Sequence, residues 1–538
     1  MRASVRRVAT VSALVAVAGW VALPAQAGHK KPTPPATTTT TATTPSTPGG
    51  APTGQVTTVI NQSRFDNSLA GWSPVIAPTS WTPAVGHDAP GAAAVKASGI
   101  YTAAASPLFA VKPGARYSAE AWSLAGNGGG HDVGVALKFY SANGQIIPGS
   151  TQISQPTANN ATAWTNTYRA VGFAPGNAAS GSVLTLSMDT VTGVTDFFDD
   201  VTVSESTGTA APVVGPLTTS GTSVLDGQGR RVQLHGMQLG GMKNANWTPD
   251  TVTTAEIDAA HRWGANLARL PVAENPFVST DCSYDPNYVS TIDRIVNDVT
   301  GRGMVLLLDL HTNAVTKCGV WEQQQKMPDG EAVNFWQAAA ARYKDNPLVA
   351  FDLYNEPHDV TDAQWRNGGT LTSSGVTYQA AGMQKLYDTV RATGARNLVF
   401  ASGRGWASVY PATAPLTGTS NLVWAVHAYT CPTLTPANGG TCQAGPAGVE
   451  DPSGILNNFA NIGLTQPVMV TEFGWPDPTD GDYIANVASY AAAHGWVGWN
   501  AFTFQLFTGS QFDLLKDPGV LWDPQASGVS VINGMLGD

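Results

Sequence analysis

The chain has 538 residues, of which 28 are Lys or Arg and 38 are Asp or Glu, so only 12 % are charged and the formal net charge is −10. An ordinary soluble domain carries about 25 % charged residues. With no basic cluster beyond residue 31, the chain lacks the electrostatic footprint of a nucleic-acid binder, and nucleic acid is excluded as a partner class.

In chain order, Arg2, Arg6 and Arg7 precede an apolar run over 8–23, and Ala25-Gln26-Ala27 sets small residues where a signal peptidase reads. Residues 1–27 are therefore expected to be a signal peptide. The run is short and broken by Thr10, Ser12, Gly19 and Pro24, and no later segment is long enough to span a bilayer. The expectation is a secreted, extracellular protein with no membrane association after cleavage. Residues 28–54 are nearly all Pro, Thr, Ala, Gly and Ser, with Thr37 to Thr41 in one run, too little apolar area to offset chain entropy. They read as a disordered linker.

From 55 to 205 the texture is short alternating runs, such as 115–124, 133–140, 183–188 and 197–203, separated by Gly and Pro turns. That pattern predicts an all-β sandwich. Residues 206–219 read as a second, short linker. From 220 to 538 strand and helix alternate. Apolar strand candidates fall at 232–237, 266–272, 304–311, 348–355, 398–402, 422–429, 467–472 and 496–502, with helices expected at 254–263, 288–300, 331–343, 378–393 and 483–494. Eight such units predict an α/β (β/α)8 TIM barrel, and continuous apolar strands agree with a parallel sheet covered on both faces.

In a barrel of this kind chemistry sits where the strands end. Strand 2 ends Arg269-Leu-Pro, strand 3 Asp309-Leu-His311, strand 4 Asn355-Glu356-Pro357, strand 6 His427-Ala-Tyr429 and strand 7 Glu472-Phe-Gly-Trp475. Any one of these is ordinary as an exposed or ion-paired residue. Five on one rim would bury several polar groups without structural need, which is costly unless they form a site. Two carboxylates facing across a barrel mouth suit glycosidic bond cleavage. At about 5 to 5.5 Å apart one attacks the anomeric carbon, whereas at about 6.5 to 9.5 Å a water fits between them and the product inverts.

Arg269 in RLPV, His311 in DLH, Asn355-Glu356-Pro357, His427 with Tyr429, and Glu472 in EFGW together resemble glycoside hydrolase family 5, the cellulase-like members of the retaining glycosidases. The resemblance implies Glu356 as acid/base and Glu472 as nucleophile, with Arg269 and Tyr429 holding Glu472 and with Glu472 raising the pKa of Glu356. It implies Asn355 on the sugar 2-hydroxyl and His311 and His427 as hydrogen-bonding walls. Family members close strand 8 with a Trp under the reacting sugar; here Trp499 is the choice, with Phe502 and Phe504 as alternatives. Trp406, after strand 5, is a candidate for the leaving-group side. Cys282 and Cys318 follow strands 2 and 3, and Cys431 and Cys442 share the loop after strand 6, so disulfides 282–318 and 431–442 are expected in an oxidising compartment. No metal site and no required cofactor are expected.

Phe65, Gly71-Trp72, Tyr117 in RYSAEAW, Trp164 and the closing FFDDVTV with Asp199-Asp200 make the front domain similar to jelly-roll carbohydrate-binding modules. Trp72, Trp81, Trp122 and Trp164 are its sugar-stacking candidates, and the resemblance leaves room for a structural calcium. The implied activity is that of a monomeric endo-β-glycosidase acting on a polysaccharide or oligosaccharide, first a β-1,4-glucan. The alternatives are a β-mannan, a β-1,3/1,6-glucan, or glycan binding without catalysis.

Overall fold

A computed structural model of the chain describes residues 56–98, 102–126, 130–188, 192–241, 252–312, 325–373, 375–429, 451–504, 512–517 and 522–536. The expected signal peptide and first linker lie outside them.

The front region is a sandwich of two antiparallel sheets. One is built around Arg116–Ala125 and Thr192–Thr207, the other around Asp132–Ser141 and Ala178–Ser187. Alternation does the sorting: along Arg116–Ala125, Tyr117, Ala119 and Ala121 are buried, while Ser118, Glu120 and Trp122 point to the outer face. The inner faces close over Phe65, Trp72, Tyr117, Leu137, Phe139 and Phe198.

Eight parallel strands then close a barrel: Leu234–Gln238, Leu267–Ala273, Val305–Thr312, Val349–Asp352, Val399–Ser402, Leu422–Ala428, Val468–Phe473 and Gly498–Ala501. They are called strands 1 to 8 below. The first three helices between them start on residues that satisfy free N–H groups. Thr253 accepts from Glu256 N ahead of α1 (Thr254–Trp263), Asp285 precedes Pro286 at the first turn of α2 (Pro286–Thr300), and Asp329 accepts from Glu331 N ahead of α3 (Gly330–Tyr343). On α2 the buried Tyr288, Ile292, Ile295 and Val299 recur at three- and four-residue spacing, the stripe that seats a helix on the sheet.

The expected helix over 378–393 is shorter. After α4 (Asp362–Asn367), Gly368–Ser373 and Val376–Ala381 pair as an antiparallel hairpin, and α5 begins at Met383 (Met383–Ala392). Val-Thr-Tyr favours a pleated strand, and Gly382 passes so close to the Arg366 carbonyl that a Cβ there would stand 2.1 Å from it. Further along come α6 (Ser453–Gly463), α7 (Asp482–Ala493) and α8 (Ala526–Leu536); the first and last had no sequence expectation.

The stretch read as a short linker, 206–219, is packed instead. Its first residues extend the strand Thr192–Thr207, Val213 donates N–H to Gly303 O at 2.8 Å, and Val213 and Leu217 join the apolar layer at the bottom of the barrel with Leu234, Leu267, Leu307, Phe400 and Val423. The outer face of the first sheet abuts the barrel. Val171 and Phe173 enter the barrel's core cluster, and buried Asp523 accepts from Gln152 Nε2 at 2.7 Å and Phe173 N at 3.2 Å.

Candidate active site

Inside a barrel, residues two apart on a strand share a face. Two positions beyond the interior Leu267, Leu307, Ala350, Phe400 and Ala425 stand Arg269, Asp309, Asp352, Ser402 and His427, all fully or almost fully buried. The apolar layer thus gives way to a polar one just below the C-terminal mouth.

Arg269 organises it. Its Nη1 donates to Glu472 Oε2 and to Gln238 Oε1; its Nη2 donates to Asn355 Oδ1 at 2.8 Å and lies 3.0 Å from Asp309 and 3.5 Å from Asp352. Glu472, from strand 7, also accepts from the Tyr429 hydroxyl at 2.8 Å, so both of its oxygens face donors suited to an anion. Asp309 holds His311 Nδ1 at 2.6 Å, which leaves His311 Nε2 to accept from Asn355 Nδ2 at 3.2 Å. The amide of Asn355 is thereby oriented from both ends.

Glu356 is set differently. It lies just past strand 4, with 18 % of its side chain exposed and Oε1 2.9 Å from His427 Nδ1. Burial pushes its carboxyl up to about 7, against the pull of His311, Arg269 and His358. The expected cause was repulsion by Glu472; the larger cause is loss of solvent. Burial also pushes His427 down to about 3, so its imidazole is neutral. Oxygens of Glu356 and Glu472 and a ring nitrogen of His427 all lie within 4.8 Å of one another.

Of the expected site residues, Arg269, His311, Asn355, Glu356, His427, Tyr429 and Glu472 converge. Trp499 does not. It is 2 % exposed, stacked on His235 at 4.7 Å and edge-on to Phe473 at 5.9 Å, because strand 8 turns it outward to the helix layer beside Gly534. Phe504 is buried edge-on to Trp263. Phe502 is the strand 8 aromatic that reaches the mouth, its ring 6.5 Å from that of Tyr429. Trp406 is 40 % exposed, with φ at 61°, and stacks on His358 at 3.7 Å; His358 in turn bonds the Glu356 carbonyl at 3.0 Å through Nδ1.

Asp352, Gln238 and His358 were not singled out from sequence. The available signal for Asp352 was its even spacing from Ala350 on a strand already assigned to the barrel, and for His358 its place directly after the Asn-Glu-Pro tripeptide.

Cys282 is disulfide-bonded, while Cys318, Cys431 and Cys442 lie outside the described residues. In the sandwich, Trp72 is core, 5 % exposed and bonded through Nε1 to Ser63, and Trp81 is tied to the Phe65 carbonyl. Trp122 and Trp164 flank His87 at ring distances of 4.0 and 5.8 Å. His87 Nδ1 also lies 2.9 Å from Asp200 and 3.3 Å from Asp88. An imidazole nitrogen in that set does not match the all-oxygen shell calcium prefers, and Arg64, at 3.8 Å, already faces Asp200.

The family model for cellulases, glycosyl hydrolase family 5, matches residues 225–504. An endoglucanase from Paenibacillus polymyxa is 28 % identical over 190 residues, 32 % of this chain and 47 % of that protein. Endoglycoceramidase I from Rhodococcus hoagii (strain 103S) is 27 % identical over 348 residues, 54 % of this chain and 68 % of that protein. The catalytic domain of the major endoglucanase from Xanthomonas campestris pv. campestris aligns with a TM-score of 0.46 at 18 % identity, covering 60 % of this chain and 100 % of that one. The chain thus spans about half the length of the first curated relatives it matches, 47 % for the P. polymyxa protein and 45 % for an endoglucanase from Phanerodontia chrysosporium.

Proposed function

The chain belongs to glycosyl hydrolase family 5, and from that premise we propose that it is a secreted, retaining endo-β-glycosidase whose first substrate is a β-1,4-glucan. The observation that carries the retaining mechanism is that an oxygen of Glu356 and an oxygen of Glu472 lie within 4.8 Å of each other, an approach that suits the short separation of a retaining pair better than the about 6.5 to 9.5 Å of an inverting one. Glu472, faced by Arg269 and Tyr429, attacks the anomeric carbon. Glu356, kept protonated by burial, passes its proton to the glycosidic oxygen as the bond to the leaving sugar breaks. In the second half Glu356, now a carboxylate, takes a proton from water; the water oxygen bonds to the anomeric carbon and Glu472 departs. Asn355, oriented by Arg269 and His311, meets the 2-hydroxyl. Phe502 lies beneath the reacting sugar, and Trp406 carries the leaving sugar on the face that His358 leaves open.

Outside the barrel, Trp122 and Trp164 are the sandwich aromatics best placed for a second glycan contact. The long match to the Rhodococcus protein supports one further reading, an oligosaccharide linked to ceramide. Initial rates on cellulose, β-mannan, laminarin and a glycosylceramide test these substrates side by side, with the β-1,4-glucan expected to lead. Anomer-resolved NMR of the first product tests the mechanism: retention is expected, and inversion would refute Glu472 as nucleophile.

A further inference from the structure

Three carboxylates crowd one guanidinium. Glu472, Asp309 and Asp352 all lie within ion-pair distance of Arg269, and the side chains of Arg269, Asp309 and Asp352 are fully shut off from solvent. One positive charge cannot balance three negative ones, and an uncompensated charge in such a place costs several kcal/mol on the order of a whole domain's margin of stability. Among the described residues no other cation is placed to help: the charged groups acting most strongly on Asp352 are Asp309, Arg269 and Glu472, His311 is engaged by Asp309, and His427 is neutral.

One of the three therefore holds a proton, and geometry selects which. Asp309 has the closer contact with Nη2 and a second partner in His311. Glu472 has Nη1 and the Tyr429 hydroxyl. Asp352 is the farthest from the cation, and its other oxygen is 3.4 Å from the Ser402 hydroxyl, a neutral partner. Burial, reinforced by Asp309, pushes the Asp352 carboxyl well above the usual carboxylate range.

We propose that Asp352 is a positioning residue that works as a neutral carboxylic acid, supporting Arg269 by shape and hydrogen bonding while leaving the guanidinium charge to Asp309 and Glu472. The need for this arises in the second half of the reaction, when Glu472 leaves the sugar as an anion and Arg269 must receive it undivided. The kinetic part of this inference rests on Glu472 being the nucleophile; the protonation of Asp352 does not.

Two measurements test it. Asp352→Ala should lower kcat at least about tenfold with little change in KM, and Asp352→Asn, which keeps the shape and polar atoms but cannot ionise, should recover most of that loss. A Asp352→Asn enzyme no better than Asp352→Ala would overturn the proposal. Separately, infrared spectra of the wild-type protein carrying carboxyl-labelled aspartate should retain the C=O stretch of a protonated aspartic acid at pH 8, absent from Asp352→Asn. If no such band exists in the wild type, the proposal falls, whatever the substrate proves to be.

Discussion

Glu356 and Glu472 carry the same functional group in opposite surroundings, and in the proposed mechanism that difference lets one donate a proton while the other attacks. Replacing Glu472 by Gln removes the proposed nucleophile, and turnover on a soluble β-glucan should fall at least about a thousandfold. Glu356→Gln should cost less on a substrate with an acidic aryl leaving group than on the polysaccharide, because such a leaving group departs without a proton. The pH dependence has a definite sign. Glu356 acts as acid only while protonated, and its carboxyl is raised to about 7, so kcat/KM should decline as pH climbs through about 7. A profile still flat at pH 9 would contradict that role. Trp406→Ala should raise KM on the polysaccharide by roughly tenfold, the order expected for one lost stacking contact, and leave an aryl glycoside nearly unaffected.

At the scale of elements, the site follows from strand periodicity. Arg269, Asp309, Asp352 and His427 sit on one layer because each is an even step from an apolar interior residue. Those strands were legible in the sequence as continuous apolar runs with polar ends. The Trp499 assignment failed because a four-residue strand flanked by aromatics has no unique phase: only the paired register, Trp499 beside His235, shows that the ring faces the helices. The hairpin was missed because the strand leaning of Val-Thr-Tyr becomes decisive only once its partner, Gly368–Ser373, is known. In α1, Glu256 is 4 % exposed and caps the helix by accepting from the Thr253 and Gly240 N–H groups, yet burial raises its carboxyl to about 8. The unfolded chain ionises this group from its ordinary value of 4.5 upward, whereas the folded chain keeps the proton to about 8. Stability should therefore fall between those values, by an amount on the order of a few kcal/mol, and be level on either side. Chemical denaturation of Glu256→Gln should show a flatter stability profile across that interval.

At the scale of the whole molecule, the sandwich and barrel meet over more than a tether. Asp523 joins Gln152 and the Phe173 backbone, Tyr168 donates to Asp482 at 2.7 Å, and Arg116 reaches the Trp263 carbonyl. Asp523→Ala would leave buried donors unmet, at about 1–3 kcal/mol, and should lower the melting temperature and speed proteolytic separation of the two parts. Unchanged thermal unfolding would mean that the Asp523 contacts contribute nothing.

The sequence by itself determined the barrel, the order of its strands and the five polar strand ends, because apolar runs and their spacing are local properties of the chain. It could not determine which strand 8 ring reaches the mouth, that burial rather than Glu472 sets the proton on Glu356, or that residues 206–219 pack under the barrel. Each of these depends on which atoms come within a few ångströms of one another across distant parts of the chain, and only the closed barrel decides that.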